Sequence, residues 1–326
     1  MQVRIERLPF RLPFRISGYT FTESPAVFVT LRQDGFEGRG EAAGVYFLDD
    51  TPERMAGILE SLRARVESGV SREELQRILP IGGARNAVDC ALWELDARRA
   101  GRPVWRLAGL DRVTPLVTTF TLGAEAPEAM AEGAVRLAGA RALKLKLSGD
   151  PALDAERVKA VRAARPEVWL GVDANQGFSI ESFAGLIPVL TQARVQLIEQ
   201  PLARGRESDL DGFDCPIELA ADESVLGIAD IAPLVGRFDV LNIKLDKCGG
   251  LTEALSMALE ARRLGLKVMV GNMVGTSLAM APAFVLGQLC DYVDLDGPTF
   301  LADDPPPAVR YENGTIWCGP EVWGGA

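Results

Sequence analysis

ALKLKLSGDPALDAERVKAVRAARPEVWLGVD, residues 142–173, reads as a strand, a helix and a second strand. Ala142–Leu147 and Val168–Asp173 are short apolar runs, and Ala152–Arg165 between them is amphipathic and of helical length. That order implies a parallel βαβ unit. Working outward, similar runs recur at Pro115–Leu122, Val195–Glu199, Ile217–Asp222, Val240–Lys244, Lys267–Gly271 and Tyr292–Asp296. Most segments between them have helical character. Ile180–Gln192 is one, and in Leu251–Gly265 the residues Leu251, Leu255, Ala258 and Leu259 share a face, with Gly265 suited to the C-cap. Eight strands separated by helices predict an α/β fold of the (β/α)8-barrel type.

The first 110 residues read differently. Gln2–Leu8, Ala26–Arg32 and Gly38–Ala43 look like antiparallel strands with a Gln33-Asp34-Gly35 turn, and Thr51–Ser68, Ser71–Leu79 and Ala84–Ala100 look helical. The expected organisation is an α+β capping domain over 1–110 and the barrel over 111–326, with the C-terminal segment returning to the capping domain. Gly38-x-Gly40-x-x-x-Gly44 superficially suggests a phosphate loop, but the spacing is wrong and no βαβ unit surrounds it. It reads as hairpin glycine.

Composition narrows the chemistry. The chain has 326 residues, 48% of them hydrophobic, enough for a substantial core. The N-terminal stretch has no continuous apolar segment, and nothing approaches the ~20 apolar residues of a membrane span. A soluble cytoplasmic protein is expected. The five cysteines form no C-x-x-C pair and read as reduced, mostly buried thiols. A net charge of −10 argues against a nucleic-acid surface. There is no histidine, which excludes Ser-His, Cys-His and His-ligated zinc sites together.

Lysine is scarce. Of 35 basic residues only six are lysine, and four of these form the groups Lys144-x-Lys146 and Lys244-x-x-Lys247. Arginine does not release its proton near neutral pH, whereas a desolvated lysine beside another cation does. The clusters therefore point to deprotonatable amines.

In a barrel of this kind the active site lies at the C-terminal strand ends. In order these carry Lys144 and Lys146, Asp173, Glu199, Asp222, Lys244, Gly271-Asn272, then Asp294 and Asp296. Asp173, Glu199 and Asp222, from three successive strands, are hard oxygen ligands that suit Mg²⁺ or Mn²⁺. A metal on a substrate carboxylate stabilises the enediolate formed when the α-proton leaves, and lysines on either side supply bases. Lys146 and Lys244 are expected to face each other across the barrel axis. Two bases on opposite faces of one carbon give racemisation or epimerisation.

These residues resemble those of the enolase superfamily, in its muconate-lactonising subgroup. The motifs are LKLKL (143–147), VDANQG (172–177), IEQPL (198–202), ADES (221–224) and NIKLDKCGG (242–250), with ARNAVDCALWELDARRAG (84–101) in the capping stretch. The pairing of a lysine base with Mg²⁺ is known chemistry of that superfamily and comes with the resemblance. The resemblance implies an enolase-like modified barrel, Lys146 and Lys244 as the acid/base pair, and Lys144 lowering the pKa of Lys146 and contacting the substrate carboxylate. Within the superfamily the chain is most similar to dipeptide epimerases, whose best-known members act on L-Ala-D/L-Glu. Their Asp-x-Asp at the eighth strand end, matched by VDLDGPTFL (293–301), implies that Asp294 and Asp296 hold the substrate ammonium.

One departure concerns specificity. Members acting on acidic dipeptides carry an arginine in the capping loop near residue 18, where this chain has Gly18, Tyr19 and Phe21. Arg15 would substitute only if the loop ran differently, which leaves room for an apolar or differently charged second residue. Tyr46 and Phe47 belong to a second capping loop, near 44–50, as specificity aromatics or as core. Asn272 is expected near the substrate. The partner is thus a small dipeptide, with no nucleic acid and no membrane. Oligomeric state, including a homo-oligomer, and pathway are left open. N-acylamino-acid racemase, o-succinylbenzoate synthase and muconate-type cycloisomerase would keep the same lysines and carboxylates but have no ammonium for Asp294 and Asp296. A non-catalytic metal- or peptide-binding barrel would need no opposed lysine bases.

Overall fold

The computed structural model describes residues 1–325. Eight strands form one parallel sheet rolled into a nearly closed barrel: β4 (Thr119–Leu122), β5 (Ala142–Lys146), β6 (Trp169–Asp173), β7 (Leu197–Glu199), β8 (Glu218–Ala221), β9 (Val240–Ile243), β10 (Lys267–Val270) and β11 (Tyr292–Val293). Each pairs with its sequence neighbours, so residues one βα unit apart become lateral neighbours, as Lys146, Asp173 and Glu199 do. Strand alternation decides which face each side chain takes. On β5 the leucines 143 and 145 join the outer core with Val158 and Val161 of the following helix, Pro151–Ala164. Lys144 and Lys146 consequently point into the barrel. Each buried Leu or Val in that layer contributes roughly 1.5–3 kcal/mol.

No ladder joins β4 to β11 among the described residues. Side chains close the seam instead. Leu295 N donates to Thr118 Oγ1 at 2.9 Å, Thr119 Oγ1 donates to Asp294 at 2.5 Å, and Thr121 N donates to Asp296 at 2.6 Å.

The cap is an antiparallel sheet, β1 (Gln2–Ile16), β2 (Tyr19–Gln33) and β3 (Phe36–Ala42), backed by the helix Gly83–Ala100. The β1–β2 hairpin is much longer than the expected strands, because its distal part leaves the cap core and leans over the barrel mouth. There Ala124 N donates to Arg15 O at 3.0 Å and Ser17 Oγ to Ser148 O at 3.5 Å. The C-terminal segment lies against the cap, with Trp323 Nε1 donating to Arg39 O at 2.9 Å and Arg39 to Val322 O at 2.8 Å. No helix is long and apolar enough to cross a membrane among the described residues.

Four expectations need correction. Gly38 and Gly40 are not hairpin glycines; they lie within β3, and a Cβ at either would stand 2.0 Å from the carbonyl oxygen of Ala91 or Ala87. Close sheet–helix packing is the reason for glycine there. Pro115–Leu122 divides at Thr118, so that Leu116–Val117 pairs with Thr315–Trp317 and only Thr119–Leu122 enters the barrel. Thr51–Ser68 breaks at Leu62 into Pro52–Ser61 and Arg63–Glu67. In the helix Leu251–Arg263 the buried face is Leu251, Ala254, Met257, Ala258 and Ala261, while Leu259 is 70% exposed. All five cysteines are free, three buried and two half-buried.

Candidate active site

Asp173, Glu199 and Asp222 close β6, β7 and the turn after β8, and all three are buried. One carboxylate oxygen from each lies within 4.8 Å of the others. Three carboxylates this close repel one another, and lysines offset the repulsion. Lys146 Nζ donates to Asp173 at 2.5 Å, and Lys244 Nζ donates to Asp222 at 2.6 Å. The two expected bases thus stand at the two ends of the triad. Lys144 bridges its middle to the barrel seam, 3.3 Å from Glu199 and hydrogen-bonded to Asp294.

The electrostatics show how strained this balance is. Burial opposes the charge on Lys144, but Asp294, Glu199 and Asp173 outweigh it and hold the ammonium well above the usual lysine range. Lys244 is likewise pushed up, since Asp222 and Glu199 outweigh its burial. A lowered amine pKa was the expectation for these clusters, and Lys144 and Lys244 both depart from it. The charges facing Lys244 are the very carboxylates that a metal would engage. Burial and Asp173 raise Glu199 to about 7. A buried carboxylate held near neutrality by another carboxylate is short of positive charge. Hard oxygen donors, their proximity and this deficit fit a divalent cation of the Mg²⁺ type.

Several residues of the centre have a role that their place in the sequence did not assign. Lys247 is not a spare base: its Nζ donates to Asp222 Oδ1 and Asp222 O, both at 2.5 Å, and to Asn242 O at 3.0 Å, which clamps the triad's third member. Asn242 Nδ2 donates to Glu199 at 2.6 Å. Its place two residues before Lys244, on the same face of β9, was the available signal. Glu223 accepts from Asn175 Nδ2 at 3.2 Å, while Glu223 Oε2, Asn175 Oδ1 and Asn242 Oδ1 are buried without a partner. Burial and Asp222 raise Glu223 to about 8.

Asp294 and Asp296 are also buried. Burial opposes the charge on Asp294, but Lys144 holds its carboxyl below the usual range, whereas burial and Asp294 raise Asp296 to about 7. Asn272 donates to Asp294 O at 2.6 Å, supporting the loop that carries both acids. Over the mouth, Tyr19 and Phe21 of the hairpin meet Tyr46 at ring-centroid distances of 4.8 and 5.4 Å, and Phe47 lies 5.3 Å from Tyr46. None of Tyr46–Leu48 is fully buried, and neither Tyr46 nor Phe47 belongs to the apolar cluster of the cap. Gly18 sits at the hairpin tip with φ +76°. Arg15 points away, paired at 2.5 Å with Glu125 on the first βα loop.

Residues 1–109 match the family model for the mandelate racemase/muconate lactonizing enzyme N-terminal domain, and residues 127–320 match the enolase C-terminal domain-like model. The chain is 39% identical to the L-Ala-D/L-Glu epimerase of Escherichia coli, over 95% of this chain and 97% of that one. It is 36% identical to a hydrophobic dipeptide epimerase of Roseobacter litoralis, over 93% and 92%. Among solved structures it resembles a dipeptide epimerase from Methylococcus capsulatus complexed with Mg and L-Arg-D-Lys, with a TM-score of 0.90, 32% identity and coverage of 99% and 97%.

Proposed function

Since the chain belongs to the mandelate racemase/muconate lactonizing enzyme family of the enolase superfamily, we propose that it is a Mg²⁺-dependent dipeptide epimerase that inverts the α-carbon of the C-terminal residue. The observation that carries this reading is the buried Asp173–Glu199–Asp222 triad with Lys146 at one end and Lys244 at the other. Asp173, Glu199 and Asp222 would hold Mg²⁺, which when bound would supply positive charge against the negative charge developing on the substrate carboxylate as the α-proton leaves. Lys146 and Lys244 then act on opposite faces of that carbon. One Nζ takes the proton and the other returns one, and the configuration inverts. Lys144 adds positive charge beside Glu199 and holds Asp294, and Asp294 and Asp296 take the ammonium of the N-terminal residue. The free cysteines suit a reducing compartment, and we place the protein in the cytoplasm. Relatives are named for glutamyl, hydrophobic and Lys/Arg dipeptides, so membership of the family leaves the side chain open.

The test is incubation with Mg²⁺ and a dipeptide library in D₂O. Deuterium should enter the C-terminal α-carbon together with the opposite isomer, and absence of exchange in every dipeptide sinks the reading. Lys146→Ala and Lys244→Ala should each abolish epimerisation, a loss of at least about 10²–10⁴-fold. One of them should still exchange deuterium into the single isomer its remaining base reaches. Asp296→Asn can keep the bond from Thr121 N while losing the charge. If activity on a dipeptide is unchanged in that variant, an N-acyl amino acid becomes the better substrate class.

A further inference from the structure

In a two-base epimerase built on this site, the reacting carbon lies between Lys146 and Lys244, so the line joining the two amines takes its proton position. Its carboxylate lies toward the triad. Its nitrogen leads to the N-terminal residue and so to Asp294 and Asp296, which Lys144 ties to the seam side of the barrel. A tetrahedral carbon has one substituent left, the side chain, and the mouth has one direction left, the cap.

There the cap presents aromatic rings. Tyr19 and Phe21 come from the hairpin tip and Tyr46 and Phe47 from the loop after β3, with neighbouring centroids 4.8–5.9 Å apart. They are not packed shut: Tyr19 is 49% exposed and the other three are half-buried. A Cβ added to Gly18 beside them would have nothing within 4 Å. Tyr46 packs on Tyr19 and Phe21 of the hairpin that Arg15 O and Ser17 Oγ hold to the first two βα loops, at the barrel mouth.

The same two loops offer no cation to an acidic side chain. Arg15 is the only basic residue within 15–25 or 44–50, and Glu125 occupies it. The acids Glu23, Asp49 and Asp50 lie in those loops instead, and the orphaned Glu223 Oε2 lies among the charged groups below. A glutamate carboxylate in that space would meet ring faces, with no free cation from either loop to pair it. Leaving such a group without a partner costs enough to reverse a preference.

We propose that Tyr19, Phe21, Tyr46 and Phe47 form the pocket for the side chain of the epimerised residue, and that this pocket takes apolar and aromatic side chains and rejects glutamate. Its orientation toward the substrate rests on the epimerase reading, whereas its chemistry rests on the rings themselves. They supply apolar area and π faces, which suit Leu, Phe or Tyr and repel a carboxylate. The chain resembles a glutamyl epimerase at 39% identity and a hydrophobic dipeptide epimerase at 36%, and overall likeness does not fix the side chain that the pocket takes.

The test compares L-Ala-L-Leu, L-Ala-L-Phe and L-Ala-L-Glu with the Mg²⁺-loaded protein, by kcat/KM for epimerisation and by calorimetric binding. Leu and Phe should exceed Glu by about tenfold or more in both measurements, a difference within reach of a hydrophobic pocket. Tyr46→Arg should narrow or reverse that ratio by raising L-Ala-L-Glu while lowering L-Ala-L-Phe. Glutamate equal to or better than leucine and phenylalanine in the unaltered protein overturns the pocket and leaves the epimerase intact. Selective binding of the apolar dipeptides without deuterium exchange supports the pocket and removes the epimerase. If none of the three binds, both fall.

Discussion

At the scale of single residues, the site is an exercise in holding like charges together. Lys247 shows how the structure does it. Its three hydrogen bonds fix Asp222 by both side chain and backbone, although Lys247 itself has no path to a substrate. Lys247→Met should therefore lower the apparent affinity for Mg²⁺ in the exchange assay by roughly 10–100-fold, the usual effect of removing a residue that orients a ligand. It should also destabilise the fold by about 3–5 kcal/mol, since a buried charge loses its partner. An unchanged Mg²⁺ titration would assign Lys247 to stability alone. The triad and the flanking lysines were legible in the sequence because each stands at a strand end, one βα unit from the next, in a chain otherwise poor in lysine. Lys247 was grouped with the bases because nothing in a sequence distinguishes an amine facing substrate from one spent on main-chain carbonyls. The rings of the cap were named without their arrangement, which depends on two loops about 25 residues apart meeting over the barrel.

At the scale of elements, strands were easier to read than boundaries. Apolar runs mark the parallel strands because both faces are buried, but where a run ends depends on the neighbour. Thr118 shows this, since its hydroxyl serves Leu295 N and divides one apolar run between two sheets. Helix faces were misjudged where leucine was taken as a guide to burial. In Leu251–Arg263 the small residues Ala254, Ala258 and Ala261 face the barrel and Leu259 faces water. Two substitutions test the element packing. Gly40→Ala puts a methyl 2.0 Å from Ala87 O, which a helix backbone relieves only by moving away from β3. It should cost about 1–3 kcal/mol or more in chemical denaturation, at the level of a badly overpacked core. Leu259→Ala should stay within about 0.5 kcal/mol, as an exposed position does. Equal costs for the two would contradict the assignment of both faces.

At the scale of the whole molecule, cap and barrel meet through buried polar groups as well as apolar surface. Asp246, two residues after Lys244, accepts from Ala43 N and Asn86 Nδ2, both at 3.1 Å, and Arg85 donates to Gly249 O at 3.2 Å. Glu41, at the end of β3, accepts from Thr276 N at 2.8 Å and from the Thr276 hydroxyl. These bonds run from the cap to the loops that carry the site, and they predict that cap and barrel unfold in one transition. They also make stability depend on pH in a direction opposite to that of a surface ion pair. Burial raises Glu41 to about 7, against the help of Thr276, and Asp246 and Asp304 push it the same way. Burial raises Asp246 to about 6. A carboxyl whose folded pKa lies above its unfolded one binds its proton more tightly when folded, so its contribution is intact below about 4.5 and is lost as the pH climbs toward 7. For Glu41 the loss amounts to roughly 3 kcal/mol. Glu41→Gln keeps an acceptor for Thr276 N and removes the titration. Against the unaltered protein, the variant should be nearly equal in denaturation midpoint near pH 4.5 and distinctly more stable near pH 8. A constant difference across that window would mean that Glu41 stays ionised at the interface, its charge balanced by the Thr276 donors alone.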